Sequence, residues 1–244
     1  NEWAGCAPQN VEQLPGAGSN RTYYRFTSSE GKTLIGVKGT SREENEAFIY
    51  LSGHFGRCGL SVPQIVAVSA GRLCYLQSDL GRLSLFDALA GGRGRGGAYN
   101  EEERMLLRRT IAELPRIQFA DIENLDFGRC YPISSMDKTS VFFDLNYFKY
   151  CFLKSTGLDF NEVRLQRDFE AMCADLLDDE ERHAFQYRDF QARNVMLNEE
   201  GRPYFIDYQG GRRGPVEYDV ASFLWQASAR YPSALREELI QVYA

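Results

Sequence analysis

The stretch Tyr187-Arg188-Asp189-Phe190-Gln191-Ala192-Arg193-Asn194, followed thirteen residues later by Asp207 in Ile206-Asp207-Tyr208-Gln209, decides how the chain is read. Phosphoryl transfer needs an acceptor for the proton of the attacking hydroxyl and oxygen ligands for the Mg²⁺ that neutralises the phosphates. The carboxylate of Asp189 meets the first need; the amide of Asn194 and the carboxylate of Asp207 meet the second. The residues between them supply geometry. Val195-Met196-Leu197 and Tyr204-Phe205-Ile206 read as two short strands, and Asn198-Glu199-Glu200-Gly201-Arg202-Pro203 reads as the turn joining them. A hairpin of this kind sets Asn194 beside Asp207. Any one of the three residues could fall near an ordinary hairpin by chance, but the full set at this spacing favours a catalytic loop and its metal-binding aspartate.

Upstream, residues 1–80 lean towards strands. Thr22–Thr27, Thr33–Lys38, Gln64–Ser69 and Leu73–Gln77 are rich in β-branched and aromatic residues and bounded by Gly or Ser. Ser41-Arg42-Glu43-Glu44 opens a helix, with Ala47, Phe48, Leu51 and Phe55 at helical spacing. Gly16-Ala17-Gly18-Ser19-Asn20 lies before the first strand, where backbone N–H groups around Ser19 and Asn20 could approach phosphates. Lys38 ends its strand, and its ammonium is expected to hold the α- and β-phosphates; a solvated strand-end lysine is the plainer reading. Glu46, leading the apolar run of the next helix, is expected to orient Lys38, with Glu43 and Glu44 exposed in the first turn. Gln77-Ser78-Asp79-Leu80-Gly81 reads as a hinge, which brings Gln77 and Asp79 to the nucleotide base.

Residues 81–244 read as mainly helical around the hairpin. Ser84-Leu85-Phe86-Asp87 caps a short helix that runs out in Gly91-Gly92-Arg93-Gly94-Arg95-Gly96-Gly97, expected to be a mobile loop. Helices are expected over Glu101–Leu114, ending near Pro115, and over Val141–Lys154, Asn161–Leu177, Glu217–Arg230 and Ser233–Tyr243. The aromatic residues Phe142, Phe143, Tyr147, Phe148, Tyr150 and Phe152 are expected to pack as core.

The 244 residues are enough to bury a sizeable core. A net charge of −6 argues against a nucleic-acid backbone or an anionic membrane as partner, because both demand a basic face. Nucleotide bound with Mg²⁺ meets no such objection. The six cysteines form no CxxC pair, and with two histidines a zinc site is not expected. Scattered thiols suit a reducing, cytoplasmic setting. No signal-peptide pattern or membrane-length apolar run is present. The chain starts at Asn1 without methionine and stops at Ala244 inside a helical pattern, so a piece of a longer protein is expected.

Together these residues resemble the aminoglycoside phosphotransferase and choline kinase superfamily, from about Gly16 to Tyr231 and most specifically from Tyr187 to Ala221. The resemblance implies an α+β, two-lobed, protein-kinase-like fold: a small antiparallel-sheet lobe and a larger helical lobe, with ATP between them. It implies Asp189 as catalytic base, Asn194 and Asp207 as Mg²⁺ ligands, and Lys38 with Glu46 as the phosphate-positioning pair. Gly214-Pro215-Val216-Glu217-Tyr218-Asp219-Val220-Ala221 is similar to the family's segment after the metal aspartate, whose aspartate, here Asp219, braces the catalytic loop. Tyr187 and Gln191 stand where the family commonly has histidine, and Gln209 where many members carry Glu or Gly.

The first reading is an ATP-dependent kinase of a small hydroxylated molecule, with the anomeric hydroxyl of an N-acetylated amino sugar as the best single acceptor. Asp144, Arg193 and Gln209 are the polar groups expected near it. A choline, ethanolamine or aminoglycoside kinase is the alternative within the class. A catalytically silent pseudokinase is the alternative outside it, opposed by the joint presence of Lys38, Asp189, Asn194 and Asp207.

Overall fold

The computed structural model describes residues 7–15 and 20–244. Gly16–Ser19, the greater part of the expected glycine loop, lie outside the described residues. Five strands build one antiparallel sheet: β1 (Asn10–Gln13), β2 (Thr22–Thr27), β3 (Thr33–Lys38), β4 (Ile65–Val68) and β5 (Cys74–Ser78), in the order β1-β2-β3-β5-β4. Strand α-periodicity fails here and alternation holds, so each strand turns successive side chains to opposite faces. Tyr23, Arg25, Ile35, Tyr75 and Gln77 face the interior cleft, whereas Tyr24, Phe26, Gly36, Lys38 and Leu76 line a depression on the other face.

Between β3 and β4 runs α1 (Arg42–Arg57). Its start follows the expected cap: the Ser41 hydroxyl accepts the Glu44 N–H at 3.2 Å. Ala47, Phe48, Leu51 and Phe55 bury one stripe against the sheet and the second lobe. The hinge is clamped. Arg25 grips Asp79 with two N–H groups at 2.5 and 2.9 Å and reaches the Gly81 carbonyl at 2.7 Å.

After the hinge come α2 (Leu85–Ala88), α3 (Ala90–Gly94) and α4 (Glu101–Gln118). The glycine-arginine segment is therefore not a loose loop. Gly92 donates its N–H to the buried Glu103 at 2.6 Å, Arg95 pairs with the same carboxylate at 2.5 Å, and Tyr99 donates to the Ala229 carbonyl. Gly97 takes φ 101°, and a Cβ there would run into the Arg230 carbonyl oxygen. Gly92 and Gly97 permit close packing, against Tyr99 and the Arg230 carbonyl. Likewise α4 continues through Pro115, because Ile111, Leu114 and Ile117 bury its last turns; tertiary burial outweighs the ~3 kcal/mol penalty of an interior proline.

Next come α5 (Lys138–Tyr147) and α6 (Glu162–Leu177). The single long helix expected over Val141–Lys154 instead widens into a π-turn at Phe148–Phe152 and then tightens into a 3₁₀ turn, Leu153–Thr156. That change of pitch spreads the aromatic residues around the axis. Only Val141 of α5 is buried, and Phe143, Tyr147, Tyr150 and Phe152 are 59–67% exposed, which corrects the expectation of a packed aromatic face.

The remaining elements frame the site. β6 (His183–Gln186) pairs antiparallel with β9 (Arg212–Pro215), neither of which the sequence pattern had suggested, and the expected hairpin is β7 (Val195–Leu197) with β8 (Pro203–Phe205). Two helices follow, α7 (Glu217–Leu224), shorter than expected, and α8 (Ser233–Tyr243). One continuous core runs from Ile35 and Val37 in the sheet to Leu235 and Leu239 in α8. The architecture is α+β and two-lobed, a sheet lobe followed by a helical lobe. Among the described residues no helix is long and apolar enough to cross a membrane.

Candidate active site

Strand β6 delivers the chain into the loop at Tyr187, and buried Asp219 from α7 turns it. Its Oδ2 accepts the Tyr187 N–H at 2.8 Å and its Oδ1 accepts the Arg188 N–H at 2.8 Å, with the Gln118 amide donating to Oδ2 at 3.2 Å. Capturing two successive N–H groups bends the backbone, and Arg188 takes the left-handed φ of 75°. A non-glycine residue holds such a conformation only where its surroundings impose it. Burial pushes the Asp219 carboxyl up to about 7, while the three donors pull it back.

Tyr187 is fully buried, and its hydroxyl donates to the Ile206 carbonyl, tying the loop to the strand that precedes Asp207. On the hairpin's other side, the Ile206 N–H donates to the Asn194 carbonyl at 3.0 Å. These bonds place Asn194 and Asp207 at one end of the hairpin. Asp207 itself sits at φ 68°, a region aspartate tolerates better than most residues.

Asp189 is held from two sides. Asn194 Nδ2 donates to its Oδ2 and its main-chain oxygen, both at 2.9 Å, and Gln191 Nε2 donates to its Oδ1 at 2.7 Å. Loss of hydration in the cleft raises the Asp189 pKa above the ordinary value, and the negative charge of Asp207 raises it further, against the pull of Asn194, Gln191 and Arg188. Asp207 accepts the Gln209 amide on Oδ1 at 2.8 Å.

Two cavities meet at these carboxylates. The first, about 290 Å³, lies under the sheet and the hinge; the second, about 490 Å³, opens beside Tyr131, Pro132, Arg188 and Tyr218. Asp189 and Asp207 line both. Gln77 is 7% exposed and faces the first cavity, and its Oε1 has no hydrogen-bond partner among the described residues. Asp79 borders that cavity, but its carboxylate is taken by Arg25 and the Gly81 N–H. Asn20 is exposed and lines neither cavity.

The expected Lys38–Glu46 pair does not form. Lys38 points from the outer face of β3, because alternation turns Ile35 and Val37 inwards, Ile35 to the cleft and Val37 to the core. Glu46 pairs with Arg42 at 2.9 Å and Arg72 at 3.4 Å. Besides Arg25–Asp79, an ion pair at the cleft joins Arg21 with Glu44, at 3.3 Å. Arg21 lines the first cavity and Glu44 the second. A signal for Arg21 was present, since Arg21, Tyr23 and Arg25 alternate onto one face of β2.

Of the three polar groups expected near the acceptor, Gln209 lines the second cavity. Asp144 stands behind it, accepting from Arg188 Nη2 at 3.2 Å and the Tyr218 hydroxyl at 3.3 Å. Arg193 is on the other side, lining the first cavity with its guanidinium 3.6 Å from the Phe86 ring centroid. The Arg193 guanidinium thus projects onto α2 and not into the second cavity. Arg188 and Tyr218, not singled out from the sequence, line the second cavity with Gln209.

A family model described as the phosphotransferase enzyme family matches residues 10–244. Two curated relatives carry the name N-acetylmuramate/N-acetylglucosamine kinase. That of Pseudomonas aeruginosa is 25% identical over 233 residues, covering 94% of this chain and 64% of the relative. That of Neisseria meningitidis serogroup B is 25% identical over 228 residues, covering 91% and 63%. The chain thus spans a little under two thirds of the length of these relatives. Among solved structures, a spectinomycin phosphotransferase in complex with ADP and spectinomycin is similar with a TM-score of 0.66 at 12% identity, over 98% of this chain and 76% of that one. The GDP complex of an aminoglycoside 2'-phosphotransferase gives 0.64 at 12%, over 99% and 79%. At such identity the likeness shows the fold, which is kinase-like.

Proposed function

Because the chain belongs to the phosphotransferase enzyme family, we propose that it transfers the γ-phosphate of ATP to a hydroxyl of a small molecule, and that the acceptor is an N-acetylated amino sugar phosphorylated at its anomeric oxygen. The observation that carries this reading is the meeting of two cavities at Asp189 and Asp207. One cavity suits a nucleotide, with the hinge and the buried Gln77 at its inner end. The other suits a sugar, with the aromatic rings of Tyr131 and Tyr218 and the polar groups of Gln209 and Arg188 on its walls.

In this reading Asp189 takes the proton of the acceptor hydroxyl as its oxygen bonds to the γ-phosphorus and the bond to the β,γ-bridging oxygen breaks, releasing ADP. Its raised pKa, caused by burial and then by Asp207, suits a base better than an ordinary surface carboxylate. An anomeric hydroxyl is more acidic than other sugar hydroxyls, which eases that transfer. The oxygens here fit a hard cation: the amide hydrogens of Asn194 are spent on Asp189, so the amide offers its oxygen, and Asp207 offers a carboxylate. Asn194 and Asp207 would hold Mg²⁺, which would neutralise charge on the phosphates. The relatives named as N-acetylmuramate/N-acetylglucosamine kinases support the amino-sugar acceptor.

An ADP-release assay over a panel of sugars, amino alcohols and aminoglycosides, followed by phosphorus NMR of the product, tests the proposal. The expected product is a 1-phosphate whose phosphorus couples to the anomeric proton. Turnover on choline, ethanolamine or an aminoglycoside with none on any hexosamine would remove the acceptor assignment; no turnover on any acceptor, with nucleotide bound, would favour a silent binding module.

A further inference from the structure

A triphosphate entering the first cavity brings negative charge to a place that already holds Asp189 and Asp207. A bound cation offsets part of this, and a fixed positive side chain must offset more. Strand β3 does not supply it: Ile35 is its residue at this cavity, Val37 is buried in the core, and Lys38 lines the depression on the opposite face. Register shows where a cation can come from. Tyr23 of β2 lies opposite Val37, so Arg21, two residues earlier, faces the cleft one step beyond it.

We propose that Arg21, held in place by Glu44, is the residue that binds the α- and β-phosphates of the nucleotide. This rests on the kinase reading and replaces the strand-end lysine with an arginine immediately before the neighbouring strand. Arg21 is 4% exposed yet lines the nucleotide cavity, and its Nη2 lies 3.3 Å from Glu44 Oε1. A guanidinium carries its N–H donors in a planar fork, and that fork matches phosphate oxygens. An ion pair this deep is weak evidence for stability alone, because desolvation consumes most of its attraction. Its place at the cavity wall points to a ligand.

Glu44 is the positioning residue, and the fold fixes it at both ends of α1. Its N–H donates to Ser41, and further along the helix Ser52 Oγ lies 2.7 Å from the Tyr208 hydroxyl while Phe48 stacks on the Tyr208 ring at 5.0 Å. Tyr208 follows Asp207 directly. The arginine-glutamate pair and the metal-binding aspartate are therefore set by one helix. Tyr23 senses both groups: after burial, the charge of Asp207 raises its hydroxyl pKa and that of Arg21 lowers it.

Calorimetric titration of Mg·ATP and, separately, of adenosine tests this. Arg21→Gln should weaken Mg·ATP by roughly tenfold or more while adenosine, which has no phosphates, binds as to the parent. Arg21→Gln combined with Glu44→Gln leaves no unpaired buried ion and should behave alike, which guards against a folding defect in the single variant. Arg21→Lys should recover part of the ATP affinity, and Lys38→Ala and Glu46→Ala, on solvent-exposed groups, should stay within about twofold of the parent. Parent-like ATP affinity in both Gln variants, equal loss of ATP and adenosine, or a selective ATP loss in Lys38→Ala would each overturn the assignment while leaving the kinase reading intact. A parent that binds no Mg·ATP would end both, and that is seen before any variant is made.

Discussion

Asn194 reaches back across the loop to Asp189 and donates one amide group to both its side chain and its main-chain oxygen, each at 2.9 Å. A proposed metal ligand thus also aims the proposed base. Asp189→Asn keeps the side-chain volume but sets its amide nitrogen against one of the donors, Asn194 or Gln191. It should keep the fold and nucleotide binding, and lower kcat by roughly two to four orders of magnitude, the range for a lost general base. Melting temperature, Mg·ATP titration and turnover on a confirmed acceptor check the three parts. Turnover equal to the parent's would end the assignment of Asp189 as base.

Asp207→Ala should remove Mg²⁺-dependent ATP binding more completely than Asn194→Ala. A carboxylate gives the ion a full charge, whereas an amide gives a dipole. Asn194→Ala should instead show the larger loss in kcat relative to its loss in affinity, because it also frees Asp189. Titrations with and without Mg²⁺, set beside steady-state kinetics, separate the two effects. Undiminished affinity in both variants would place the metal elsewhere.

Gly97→Ala should destabilise the protein by a few kcal/mol, through a left-handed backbone and the approach of the Arg230 carbonyl. Gly94→Ala, with open space around it, should be near neutral or slightly stabilising. Thermal or urea melts of the two variants measure the contrast. Equal, negligible effects would mean that the segment is the mobile loop its composition suggests.

The sequence was legible where the local chain determines the outcome. The Asn194–Asp207 hairpin, the Ser41 and Ser84 caps and strands β2 and β3 depend on neighbours a few residues apart, and the structure keeps them. It was not legible where partners are distant. The β6–β9 pairing joins residues from His183 to Pro215 across the whole catalytic loop, and Gly92 is pinned by Glu103. Lys38 was misplaced for a simpler reason: proximity to α1 in sequence suggested contact, but alternation along β3 turns its side chain away, as the buried Val37 beside it shows. Alternation through Ile35 and Val37 leaves that face of β3 without a cation, whereas Arg21 continues the face of Tyr23 and Arg25.

Asp219 gives a prediction about pH. Its buried carboxyl is pushed up to about 7, from an ordinary 3.8, by burial, while the N–H groups of Tyr187 and Arg188 and the Gln118 amide act in the other direction. Between those two values the folded protein holds a proton that the unfolded chain has released. Stability from this group is therefore full below the unfolded pKa and falls as pH rises through 7, by roughly a few kcal/mol. Asp219→Asn removes the titration but puts an amide donor against one of the two backbone N–H groups, so the variant should melt lower at every pH and lack this component of the slope. The measurement is the melting temperature of parent and variant from pH 4 to pH 8. A gap between them that narrows as pH rises is the expected result, because only the parent loses stability in that window. A gap that stays essentially constant would mean that Asp219 is ionised throughout and that its three donors outweigh its burial.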